Sequence, residues 1–248
     1  MARFLLAFST AWALGGLVAS LFPAATGQAP ELIIAGLVFA VCGWLAVSRM
    51  ATIEATVYAV FCSGMTLAFS PAPWAGIEWL DTLTGLARSG VIFVSIAAAL
   101  HLVLLIPWGS LKNKPPSFVP VYLPAVICWL LVTGRTRLDA AEWPLLNAFL
   151  LAVIGMLLAA YLLITTIAFL RRYIRSERRQ RRRRGTRMML WGSVLGTVPG
   201  LLAGFTLLGR LPGSRFLMLT AVLVPLSWYG VVRELARSGG SEHGNRGG

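Results

Sequence analysis

The sequence predicts an all-helical bundle embedded in a membrane, with about eight transmembrane helices. Three observations carry this expectation. The first is composition: 57% of the 248 residues are hydrophobic and only 12% are charged, a balance that soluble domains of this length do not show. The second is the length of the apolar runs, which matches the roughly 20 residues, at 1.5 Å each, needed to cross a hydrocarbon core of about 30 Å. The third is an arginine run lodged between two of them. Ten of the seventeen residues from Arg171 to Arg187 are arginine against one glutamate, so this run alone supplies nine of the thirteen net positive charges.

The run fixes the topology. An arginine at the bilayer centre costs roughly 2.5–3.5 kcal/mol even on the lenient insertion scale, so these residues lie at a membrane face. The excess of Lys and Arg in cytoplasmic loops puts that face inside the cell. Counting outward from it, the spans read Phe4 to Phe22, Leu32 to Ser48, Met50 to Phe69, Leu86 to Ile106, Phe118 to Thr133, Pro144 to Leu170, Met188 to Leu208 and Phe216 to Val232. Alternation then leaves the N-terminus, Arg49, Lys112, Lys114 and the C-terminal tail inside, with 17 of the 22 basic residues. Residues 24–30, 71–85, 134–143 and 209–215 fall outside.

Two segments admit another reading. Met1 to Pro30 has one arginine before an apolar stretch and small residues after it, which also suits a cleaved signal peptide. The segment from Phe118 to Thr133 is short and carries Pro120 and Pro124, each lacking a backbone donor. It reads as a kinked helix, with a re-entrant loop as the alternative. Residues 1–235 form one transmembrane domain, and the glycine-rich segment 236–248 reads as a disordered cytoplasmic tail.

Few residues suggest chemistry. Cys42, Cys62 and Cys128 all fall within apolar runs and have neither disulfide nor zinc spacing, so buried free thiols are expected. No paired acidic motif, His-x-x-x-His, Cys-x-x-Cys, phosphate-cradling glycine loop or Gly-x-Ser-x-Gly is present. The sequence therefore predicts no enzyme activity, no cofactor and no metal. Gly192, Gly196, Gly200 and Gly204 recur every four residues and share one helical face, where glycine lets a second helix approach closely. Pro199 within that ridge marks a bend.

The arginines of the run are Arg171, Arg172, Arg175, Arg178, Arg179, Arg181, Arg182, Arg183, Arg184 and Arg187. They read as a topology anchor, or as a continuation of the preceding helix that touches anionic headgroups or a protein partner. Nucleic acid is a poor third, because Tyr173 is the only aromatic side chain within the run. Candidate ligand residues are Trp74, Glu78, Trp79 and Asp81 in the outer loop, with belt tryptophans as the plainer reading. His101, an ionisable group inside a span, is a fifth; a histidine bonded to a neighbouring helix explains it equally well.

Several stretches resemble the membrane-embedded N-terminal input region of bacterial sensor histidine kinases of the competence and quorum-sensing type. They are HLVLLIP (His101 to Pro107), YLPAVI (Tyr122 to Ile127), the Arg-rich loop leading to MLWGSVLGTVPG (Met189 to Gly200), and LVPLSWYGVVREL (Leu223 to Leu235). The last is similar to the exit helix that hands the chain to a cytoplasmic output domain in that family. Here about a dozen polar residues follow instead, and His243 among them has no context for a phospho-acceptor role.

The resemblance implies an input module without kinase output, or a fragment of a longer kinase, in a bacterial inner membrane. It would act with a separate kinase or other membrane protein, a small ligand and a second copy of itself as possible partners. The rival readings are a small transporter or lipid-handling protein, which needs a polar path or headgroup cavity, and a structural subunit of a membrane complex.

Overall fold

The computed structural model describes residues 1–20, 30–70, 77–105, 118–136, 142–175, 187–195 and 218–244. Among them all regular structure is helical: α1 (Ala2–Ser20), α2 (Pro30–Arg49), α3 (Ile53–Phe69), α4 (Glu78–Leu105), α5 (Phe118–Arg135), α6 (Pro144–Arg175), α7 over 187–195, and α8 (Leu223–Gly244), which is entered through a 3₁₀ turn, Met218–Val222.

Local chemistry explains where these helices start and stop. Pro30 and Pro144 open α2 and α6, the position where a missing N–H leaves no bond unmade. Thr52 caps α3: its backbone is extended and its side chain accepts from the Ala55 N–H at 3.3 Å, which satisfies one of the orphan donors of the first turn. Glu54 in α3 and Glu78 and Asp81 in α4 occupy first turns, and Arg49 and Arg135 last turns, each matching the sign of the helix dipole.

Four of these helices, over Leu32–Arg49, Glu78–Leu105, Phe118–Arg135 and Pro144–Arg171, are long and apolar enough to cross a membrane. The apolar stretches Ala2–Val18 and Ile53–Phe69 are shorter. The stretch from Phe118 is one helix with Pro124 inside it. α4, α6 and α8 extend beyond the apolar runs. α4 begins at Glu78, eight residues before Leu86, so part of the supposed outer loop is helix, with Glu78 and Asp81 stabilising its first turn. α8 continues to Gly244 over residues whose composition suggested a disordered tail.

Packing pairs show α2 to α6 running up and down in succession. Gly36 meets Thr66 while Gly43 meets Cys62; Arg88 reaches Leu67 while Gly64 meets Ser95. Trp129 reaches Leu86 while Tyr122 meets His101, and Arg135 reaches Asn147 while Tyr161 meets Val121. α3 sits at the centre, packed by α1, α2, α4 and α8. It is the shortest of the six helices that precede the arginine run, and eleven of its seventeen residues are buried.

One apolar core joins α1, α2 and α3 to the end of α4, Phe169 of α6, Met189 of α7 and the face of α8 bearing Val224, Trp228 and Val232. A second joins Phe93, Ala97 and Leu100 of α4 to Val121, Ala125 and Cys128 of α5 and Ile154 and Tyr161 of α6.

The periphery is as apolar as the core. On α6, Leu145, Phe149, Leu151, Met156, Leu163 and Ile164 are all more than half exposed. Fully burying one such side chain is worth about 1.5–3 kcal/mol. Leaving this face in water would therefore forgo on the order of 10 kcal/mol, comparable to the whole stability of a domain. The face requires an apolar surrounding.

Candidate functional site

Within helices this apolar, a buried polar side chain without a partner is costly, because the surroundings supply none, and among the described residues Ser70 Oγ is the one such atom left unpaired. The pairings therefore show where helices are fastened to one another. His101, in α4 one turn before its end, is 1% exposed. Its Nδ1 lies 3.1 Å from the Tyr122 hydroxyl of α5. The rings of Phe118 and Tyr122 meet the imidazole edge-on, at centroid distances of 4.8 and 5.6 Å. Tyr161 of α6 donates to the carbonyl of Val121, in the turn where Pro124 has removed a backbone donor. One histidine and two tyrosines thus tie α4, α5 and α6 together near the end of the bundle that carries Arg49.

A second node joins the central helix to the last one. Tyr58 of α3 is fully buried and donates to the Pro225 carbonyl of α8 at 2.5 Å. One turn on, Phe61 stacks on Trp228 with centroids 5.2 Å apart. Trp228 in turn donates through Nε1 to the Ser193 hydroxyl of α7 at 2.8 Å. Beside it, a Cβ built on Gly192 would lie 2.2 Å from Ser227 Oγ and 2.9 Å from the Leu223 carbonyl oxygen. Glycine is what allows α7 and α8 to come so close.

At the opposite end, Arg88 of α4 donates through Nε to the Leu67 carbonyl at 3.0 Å and through Nη2 to the Ser70 carbonyl at 2.8 Å. These carbonyls belong to the unsatisfied last turn of α3. A guanidinium there both fills them and opposes the negative end of the helix dipole. Nearby, Arg135 donates to Asn147 Oδ1 at 2.6 Å, linking α5 to α6.

The residues singled out from the sequence are distributed as follows. Trp79 is 68% exposed and, with Glu78 and Asp81, lies in the opening turns of α4; Trp74 lies outside the described residues. His101 is on the same helix but twenty residues from Asp81, about 30 Å along the axis, so these side chains do not form one pocket. Gly192 stands at a helix crossing, while Gly196, Pro199, Gly200 and Gly204 lie outside the described residues.

Arg171, Arg172 and Arg175 occupy the last turns of α6, and Arg187 opens α7; Arg178 to Arg184 lie outside the described residues. Tyr58, Arg88, Tyr122, Tyr161 and Trp228 escaped the sequence reading. For Tyr58 and Arg88 a signal was present, namely a polar group inside an apolar run.

No family model matches this chain, and no curated protein or solved structure matches it. Its function has to be read from the contacts themselves.

Proposed function

We propose that this chain is an eight-span protein of a bacterial inner membrane, with its arginine-rich end in the cytoplasm, and that it serves as the input module of a signalling system. It performs no catalysis. A ligand from outside, or one dissolved in the membrane, alters the packing of the helices, and α6 and α8 carry the change to the cytoplasmic face and to a partner there, a separate kinase or another membrane protein.

The observation that supports this reading best is the use made of the polar side chains. Tyr58, His101, Tyr161 and Trp228 each bond to a neighbouring helix. A transporter would require such groups to line a route for its cargo. In a sensor they act as fasteners that hold one packing against another.

The Tyr58–Pro225 bond and the Phe61–Trp228 stack make α8 follow any displacement of α3, and α3 touches most of the bundle. Such a relay needs two packings separated by a few kcal/mol and a ligand that prefers one of them. Cross-linking the full chain in native membranes and identifying what is captured tests the reading. A kinase or response regulator is expected; a permease or a transported solute would overturn it.

A further inference from the structure

The two ends of the bundle treat their arginines differently. At the end formed by the last turn of α3, Arg88 and Arg135 are both engaged by acceptors of the chain itself, and Glu78, Asp81 and Glu142 lie on the adjoining stretches. At the other end, where Glu54 stands in the first turn of α3, Arg3 opens α1, Arg49 closes α2 and Arg171 lies in the last two turns of α6. All three are exposed, and none has a hydrogen-bond or ion-pair partner among the described residues.

α6 is what brings its arginines to that level. It runs unbroken for 32 residues from Pro144 to Arg175, about 48 Å at 1.5 Å per residue, against a hydrocarbon core of about 30 Å. Its last turns therefore emerge into the headgroup layer. They are also fixed sideways: Phe169 and Tyr173 stack with centroids 6.3 Å apart and pack into the main core. Ile174, 63% exposed, points away from the bundle, as an interfacial residue does when it dips into the acyl boundary.

We propose that this end of the bundle is a binding surface for anionic phospholipid, with Arg3, Arg49 and Arg171 as its headgroup contacts and Ile174 as its acyl contact. The inference rests on the membrane reading and deepens it. The negative charge of the inner leaflet becomes an input in its own right, since basic segments at this depth are drawn to anionic lipid and released when that charge is screened. Guanidinium groups suit the task because each presents a planar fork of donors to a phosphate.

The test uses the full chain in nanodiscs of phosphatidylcholine alone or of phosphatidylcholine with phosphatidylglycerol. The thermal midpoint is followed, together with the lipid retained after extraction. Phosphatidylglycerol should be retained in preference and should raise the midpoint, with both effects lost in high salt as the screening length falls from about 10 Å at 0.1 M to about 3 Å at 1 M.

The combined variant Arg3→Gln, Arg49→Gln and Arg171→Gln should lose the preference, and the corresponding lysine variant should keep most of it. An unchanged preference in the glutamine variant, or none in the native chain, overturns the proposal. So does RNA binding at these residues, or a lipid-independent pairing of two copies through them. Alkaline extraction of native membranes separates the two levels. Protein released into the supernatant would overturn the membrane reading itself, whereas protein that stays with the membrane but ignores phosphatidylglycerol overturns only the lipid surface.

Discussion

The phenol of Tyr58 donates to the carbonyl of Pro225 across 167 residues of sequence, joining the central helix of the bundle to its last one. Both groups are fully buried, so this is a fastening in a medium with no competing water. Tyr58→Phe keeps the ring and removes only the hydroxyl. It should lower the thermal midpoint by the equivalent of about 0.5–1.5 kcal/mol, while Tyr58→Ala, which also empties the site, should lose about 3–5 kcal/mol. Denaturation in mild detergent measures both. If the phenylalanine variant melts with the native chain, the bond contributes nothing to holding α8.

Two glycines should respond in opposite directions. A Cβ on Gly64 would lie 2.2 Å from the Ser95 side chain and 2.8 Å from the Val91 carbonyl oxygen, whereas one on Gly155 meets nothing within 4 Å. Gly64→Ala should therefore destabilise by about 1–3 kcal/mol, as overpacking does. Gly155→Ala should be neutral or stabilise by up to about 1 kcal/mol through helix propensity. The comparison of midpoints is the check, and equal effects would count against the close approach of α3 and α4.

Arg88 holds two carbonyls at once, at 3.0 and 2.8 Å. Arg88→Leu should cost about 1.5–3 kcal/mol, the range for hydrogen bonds to charged groups. Arg88→Lys should recover only part, because an ammonium lacks the planar fork. Hydrogen exchange at the end of α3 should quicken in the same order.

His101 and Tyr122 should behave as a unit. In a double-mutant cycle with His101→Phe and Tyr122→Phe, the single changes should sum to more than the double change by about 0.5–1.5 kcal/mol, since each alone strands a buried polar partner. Strict additivity would show that the 3.1 Å contact carries no energy.

The proposed orientation can be read from labelling. Cys42, Cys62 and Cys128 are buried, so an introduced thiol gives the main signal. Trp79→Cys should react with an impermeant maleimide in intact cells, and Arg171→Cys only after permeabilisation. The reverse pattern would invert the map and remove the cytoplasmic relay with it.

The helical class and the positions of the apolar stretches were legible in the sequence, because both depend on local quantities: run length, the placing of Pro, Thr, Glu and Arg at helix ends, and the crowding of charge after Leu170. The ends of α4 and α8 were not. The eight residues from Glu78 to Gly85 are too polar to read as span yet fold as helix under the favourable charge of Glu78 and Asp81.

What only the tertiary structure decided is which polar groups meet. His101 had no partner in the sequence because Tyr122 lies 21 residues away on the next helix, and Tyr58 had none because its acceptor is a backbone carbonyl near the other end of the chain. Likewise Gly64 and Gly155 are indistinguishable as letters, and differ only because α4 presses on one and nothing described reaches the other. Apolar length and end charge are properties of a single segment, so the sequence by itself determined them. Pairing is a property of two segments brought together, and is decided only when the bundle closes.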